Sequence, residues 1–154
     1  MRKGKALFAI ALTGTLLWAS DARAGFGIAG SIGSGFFVKD GNTTRLGTNF
    51  EVLPHYKIAM IYADLGIVGT FERDTSVSFR PWVRLDLSLL YARLAVPLRM
   101  PSTSEVDYGL LIGVGKIFQA GPIGVFVEVD VAWSDKLGWG YLPVEFRGGV
   151  QFGF

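Results

Sequence analysis

The sequence predicts an all-β protein: an eight-stranded antiparallel up-and-down transmembrane β-barrel preceded by a cleavable signal peptide. Three observations carry this prediction. Hydrophobic residues after position 24 recur with a period of two, the spacing of strands rather than helices. Glycine is abundant, 21 in 154 residues, beside a hydrophobic content of 50%. Helices tolerate glycine poorly, whereas close-packed strands and turns accommodate it. Finally, the segment Pro143–Phe154 alternates over the length of a membrane-crossing strand, about 9–11 residues, and sets Phe146, Phe152 and Phe154 on one side.

Residues 1–24 read as the signal peptide and 25–154 as the barrel. Arg2, Lys3 and Lys5 give a positive start, Ala6 to Trp18 an apolar run, and Ala22-Arg23-Ala24 a small-x-small cleavage pattern. The run is shorter than the roughly 20 residues of a spanning helix. Cleavage after Ala24 removes four basic residues (Arg2, Lys3, Lys5, Arg23) and one acidic residue (Asp21). Of 15 basic and 13 acidic residues, 11 and 12 then remain. The basic balance belongs to the precursor, so no basic patch argues for nucleic acid. The chain has no cysteine, which excludes disulfides and thiolate metal sites. Beyond the leader no apolar stretch is long enough for a helical span, so a membrane would be crossed by strands.

The strands follow in order. Strand one sets Phe26, Ile28, Ile32, Phe36 and Val38 against glycine, Ala29 and Ser31, and Lys39–Thr44 reads as a polar loop. Strand two runs from Thr48 to Tyr56. Pro54 lacks a ladder donor and is expected near the strand end or at a bulge. A poorly marked turn is placed at Lys57 and Ile58. Strand three, Ala59 to Phe71, sets Ile61, Leu65 and Ile67 against Tyr62, Asp64 and Val68. Strand four sets Val77, Phe79, Pro81, Val83 and Leu85 against Arg80, Trp82, Arg84 and Asp86, with a short turn at Leu87-Ser88-Leu89. Strand five sets Ala92, Leu94, Val96 and Leu98 against Tyr91, Arg93, Pro97 and Arg99. Strand six covers Tyr108 to Phe118, and Gln119–Pro122 reads as a tight turn. Strand seven alternates Val125, Val127, Val129, Val131 and Trp133 with Phe126, Glu128 and Asp130. Ser134 to Tyr141 reads as the last loop. Strand eight closes the chain and is expected to pair with strand one, which removes both sheet edges.

Which face is inside decides between a membrane barrel and a soluble, lipocalin-like one, whose apolar set points inward. The polar parity is rich in small residues, and the lumen of eight strands has room only for side chains. It also carries Glu51, Asp64, Asp86, Glu128, Asp130 and Glu145 against Lys57, Arg80, Arg84, Arg93, Arg99 and Arg147. Burial penalises a charge strongly unless it is paired, and a balanced set can pair. Aromatics such as Phe26, Tyr56, Phe71, Tyr108, Trp133 and Phe152 fall near the ends of the apolar face, with Val, Leu and Ile between them, as in a lipid-facing band with aromatic girdles. Lys116 interrupts that face and fits if its stem snorkels to the interface.

With these features the chain resembles the small Gram-negative outer-membrane β-barrels, of the size of the OmpA transmembrane domain or OmpX. The residues that carry the resemblance are the leader, the eight alternating segments and Phe154 with Phe152, Val150, Phe146 and Val144 behind it. Leu90-Tyr91-Ala92-Arg93, Val96-Pro97-Leu98-Arg99 and Val127–Val131 are similar to an uncharacterised group of outer-membrane β-barrel domains. The resemblance implies residence in the outer membrane, contact with its lipids, and recognition of Val144, Phe146, Val150, Phe152 and Phe154 by the barrel-assembly machinery. The short connecting segments depart from the adhesin-like members.

Three function classes follow. The first is a monomeric structural barrel with a filled, charge-paired lumen that contributes to outer-membrane integrity. The second is a narrow pore for ions or small solutes, opposed by the paired charges and by Phe37, Tyr62, Trp82, Tyr91 and Phe126 on the inward parity. The third is a lipid-modifying enzyme, for which His55 is the sole histidine and no activated serine stands beside it in the sequence. No cofactor is expected. No metal site is expected either, because Glu128 and Asp130 form only a pair.

Overall fold

The computed structural model describes residues 24–39, 41–71, 76–100, 107–134 and 143–153. Its strands are β1 (Gly25–Lys39), β2 (Asn42–Arg45), β3 (Asn49–Ile58), β4 (Ile61–Thr70), β5 (Ser76–Asp86), β6 (Tyr91–Ala95), β7 (Leu98–Met100), β8 (Asp107–Ala120), β9 (Ile123–Ser134) and β10 (Val144–Gly153). Each long strand pairs antiparallel with its neighbours in the chain, and β10 pairs with β1 from Gly27↔Gly153 to Phe36↔Val144. The sheet therefore closes. It has eight staves, with β6 and β7 forming one of them and β2 folding back on the end of β1.

Ala59–Met60, residues 87–90 and Gly121–Pro122 connect staves at the end where β1 starts and β10 finishes. In outer-membrane barrels the short turns are periplasmic. By that rule this end corresponds to the periplasmic end of such barrels.

The apolar parity faces outward on every stave. Ile28, Ile32, Val52, Leu65, Val83, Leu94, Ile112, Val127 and Val150 are all exposed. The opposite parity is buried, with Leu53, Tyr62, Val68, Trp82, Tyr91, Leu111 and Phe126 among the charged side chains. A soluble barrel of the lipocalin kind would have the reverse arrangement. Aromatic pairs mark both rims: Phe26 with Tyr56 (4.6 Å between ring centroids) at the turn end, Phe50 with Phe71 (5.5 Å) and Phe36 with Phe146 (6.1 Å) toward the other.

Several boundaries differ from the sequence expectation. Residues 42–45 are not loop: they form β2, opposite Phe36–Lys39, and Gly41 supplies the positive φ of 78° that the turn needs. The turn expected at Lys57–Ile58 lies at Ala59–Met60, and Ala59 itself takes a φ of 57°. No glycine or asparagine signals it. Pro54 lies within β3 and not at its end, and the register is the same on either side, Val52↔Ile67 and His55↔Asp64. The stave expected to be continuous from Tyr91 to Arg99 is interrupted at Val96–Pro97. Its register with β5 carries on unchanged, from Trp82↔Ala95 to Phe79↔Leu98. Pro97 has no N–H to give to the ladder, which accounts for the gap. Finally, β8 extends through Ala120, so the turn is only Gly121–Pro122, with Gly121 at a φ of 62°. Residues 1–23, where the signal peptide is expected, residues 135–141, where the last loop is expected, and Phe154 lie outside the described residues.

Candidate functional site

The lumen holds the chain's concentration of chemistry, and small residues make the space for it. Gly113 faces Arg93 on one side and Asp130 on the other, and Gly115 likewise faces Tyr91 and Glu128. Gly149 lies opposite Phe126, and Gly66 opposite Arg80. A Cβ at Gly113 would meet Asp130 Oδ1 and come within 3.1 Å of Arg93 Cγ. Large and small residues therefore complement each other across the ladder, stave by stave.

Arg147 on β10 is the hub of the central cluster, with its side chain fully buried. It ion-pairs with Glu51 on β3, reaching past the small inner face of β1, and with Glu145 at 2.7 Å. Its Nε lies 3.6 Å from Asp130 and 3.9 Å from Glu128. Arg93 on β6 ion-pairs with Glu128, with Asp130 at 3.2 Å and with Glu51 at 3.7 Å. Its guanidinium also stacks 3.4 Å from the centroid of the Trp82 ring. The Trp82 indole N–H donates to Glu51 Oε1 at 3.1 Å, and the Tyr91 hydroxyl donates to Glu128 Oε2 at 2.7 Å. Arg80 on β5 donates to both carboxylate oxygens of Glu145, at 3.1 and 3.4 Å.

A second layer lies nearer the turns. Arg84 sits 3.5 Å from Asp64, donates to Gln151 Oε1 at 3.3 Å, and covers the Tyr62 ring at 4.0 Å. Gln151 in turn donates to Gln119 at 3.3 Å. Lys57, half-buried, lies 5.2 Å over the other part of this layer, the Tyr62 ring. Charge-assisted and bidentate contacts of these kinds are the strong ones, and they compensate part of the cost of desolvating the ions.

The structure thus brings together Glu51, Asp64, Arg80, Arg84, Arg93, Glu128, Asp130, Glu145 and Arg147. Asp86 is not among them. It stands beside the β5–β6 turn, where its Oδ1 accepts the Ser88 backbone N–H at 3.1 Å. A carboxylate at a tight turn caps the backbone locally, and Ser88 takes a positive φ of 70° there. The Arg99 side chain lies outside the described residues. Among the described residues the buried set comprises four arginines and five carboxylates, with half-buried Lys57 beside them. Sequence parity also left unassigned three polar partners of the network: Trp82, Tyr91 and Gln151. Their inward parity was the available signal.

His55 faces inward, opposite Asp64 in the ladder and 5.7 Å ring to ring from Tyr62. Val144, Phe146, Val150 and Phe152 lie on the outward face of β10.

A closed eight-stave barrel with an apolar exterior and an ionic interior is built as a membrane-spanning barrel, the fold of the small bacterial outer-membrane β-barrels. Solved structures with the same fold include Neisserial surface protein A (NspA), with a TM-score of 0.61 and 12% identity, covering 84% of this chain and 97% of that one. The N-terminal β-barrel domain of Pseudomonas aeruginosa OprF has a TM-score of 0.56 and 11% identity, covering 82% and 97%. No family model and no curated protein sequence matches the chain. The outer membrane is the membrane to which this fold belongs.

Proposed function

We propose that the protein is a structural component of the bacterial outer membrane, a barrel whose filled, charge-paired lumen contributes to envelope integrity and passes no solute. The observation that carries this reading is the Arg80–Glu145 pair. β5 and β10 are four staves apart in either direction around the barrel, so the pair crosses its full diameter. Arg84 and Gln151 join the same two staves nearer the turns. Two crossings at different heights leave little room for a water column.

The proposal includes export with cleavage after Ala24, insertion by the barrel-assembly machinery through Val144, Phe146, Val150, Phe152 and Phe154, and a monomeric state among outer-membrane lipids. No catalytic step is assigned: His55 has the surroundings of a packed lumen side chain.

Planar-bilayer recording of the purified protein tests the reading. No unitary current is expected from the native protein. Stable conductance steps would sink the sealed-lumen reading in favour of a narrow pore.

A further inference from the structure

Among the described side chains on the outward parity of the eight staves, Lys116 is the one that carries a charge. It belongs to β8, close to the Gly121–Pro122 turn, and its ammonium lies 5.4 Å from the centroid of the Phe118 ring, two residues nearer that turn. The charge therefore points to the periplasmic rim. A charged group on a lipid face is costly in proportion to its depth and needs a counter-charge or access to the headgroups.

Lys116 also borders a depression in the outer wall. The groove has a volume of ≈ 520 Å³ and is lined by Leu90, Val114, Val127, Phe146 and Gly148 as well as Lys116. The ladder explains its shape. Lys116 pairs with Val127, and Val127 with Gly148, so the three form one row across β8, β9 and β10. At a strand spacing of about 4.8 Å, the lysine backbone and the glycine are roughly 10 Å apart. Gly148 leaves a gap in the wall at that point. A Cβ built there would meet only the Phe126 carbonyl oxygen, at 3.8 Å, so the space above it is open.

We propose that this groove seats one glycerophospholipid of the periplasmic leaflet, with its phosphate on the Lys116 ammonium and one acyl chain lying over Gly148. The charge selects the occupant. An apolar partner would leave the ammonium unpaired, whereas a phosphate at the rim neutralises it at the height where headgroups lie. The groove supplies what ordinary contact with surrounding lipid does not: a fixed apolar slot at a set distance from a fixed cation.

The test is native mass spectrometry of the full-length barrel released from nanodiscs containing phosphatidylglycerol. One phosphatidylglycerol is expected to remain bound, while diacylglycerol with the same chains is not retained. Lys116→Gln and Gly148→Leu should each weaken retention on the order of tenfold, the scale of one charge-assisted hydrogen bond or one filled apolar slot. Lys116→Arg should keep it. Heat-modifiable gel mobility checks that each variant is folded, and the comparison of phosphatidylglycerol with diacylglycerol needs only the native protein. Equal retention of the two lipids, or equal retention by the native protein and both weakening variants, overturns the proposal. A lipid-free dimer that Gly148→Leu abolishes would overturn it too, by assigning the groove to a second copy of the chain.

Discussion

Arg80 and Glu145 stand on diametrically opposite staves, yet meet through two hydrogen bonds of 3.1 and 3.4 Å. Both side chains are nearly buried, at 10% and 11% exposure. Removing one partner leaves the other charged and buried without its counterpart. Arg80→Ala is expected to lower stability by about 3–5 kcal/mol, read as a drop in the urea midpoint of the barrel in lipid. Arg84→Ala and Glu128→Ala should behave similarly. The double variant Arg80→Met with Glu145→Leu should recover most of the loss, because apolar replacement of a whole buried pair is often nearly neutral. Unchanged midpoints for the single variants would contradict a load-carrying lumen.

Adjacent glycines on β10 should respond in opposite ways. Gly149 faces the lumen, and a Cβ there would run into the Gly30 carbonyl oxygen and lie 2.6 Å from the Phe126 ring. Gly148 faces outward into open space. Gly149→Ala is expected to cost about 1–3 kcal/mol by overpacking, whereas Gly148→Ala should stay within about 0.5 kcal/mol. Equilibrium unfolding of the two variants side by side provides the check.

The outward band can be probed by depth. Leu65 is in the middle of β4, whereas Phe26 is at the turn-side rim beside Tyr56. Leu65→Arg should destabilise the inserted barrel by about 2–4 kcal/mol and Phe26→Arg by about 0–1 kcal/mol. Similar costs at both positions, measured in bilayers, would argue against a lipid-facing band.

Ala59 holds a left-handed conformation, φ 57°, in the β3–β4 turn. This conformation costs an L-residue roughly 1–2 kcal/mol, and glycine avoids most of it. Ala59→Gly is therefore expected to raise stability by about 0.5–1 kcal/mol, a net gain after the extra entropy glycine loses on folding. A lowered urea midpoint would show that the methyl group has a packing role that outweighs the backbone term.

Legibility in the sequence followed the physics of each feature. Alternation identified the staves and their outward faces, because a residue's parity decides its side of the sheet. It placed the turn at Leu87-Ser88-Leu89 without a glycine, but the Ala59–Met60 turn, with no turn residue to mark it, falls two residues beyond the expected Lys57–Ile58. It marked Asp86 as inward by parity alone, but a carboxylate next to a turn has a nearer partner in the backbone, and Ser88 took it. Parity likewise put Arg80 and Glu145 on the inner face, but their pairing across the diameter depends on how the staves are arranged round the barrel. The groove beside Lys116 was out of reach for the same reason, since Gly148 becomes its neighbour only through the register of three strands.

The β1–β10 seam has a consequence for assembly. Its ten pairs, from Gly27↔Gly153 to Phe36↔Val144, join the first and last staves of the barrel, the contact with the greatest separation along the chain. Such closure is entropically the slowest kind of step. Arg147 and Glu145 arrive on that same last stave, carrying the partners of Glu51 and Arg80. Until it docks, Arg80 lacks its carboxylate and Glu51 keeps only Arg93, at 3.7 Å, and the Trp82 N–H, so a partly zipped barrel holds only part of its ionic interior. Completion should behave as a single latch event in which the seam and the ionic core form together, and insertion intermediates should be open sheets and not loosely closed rings.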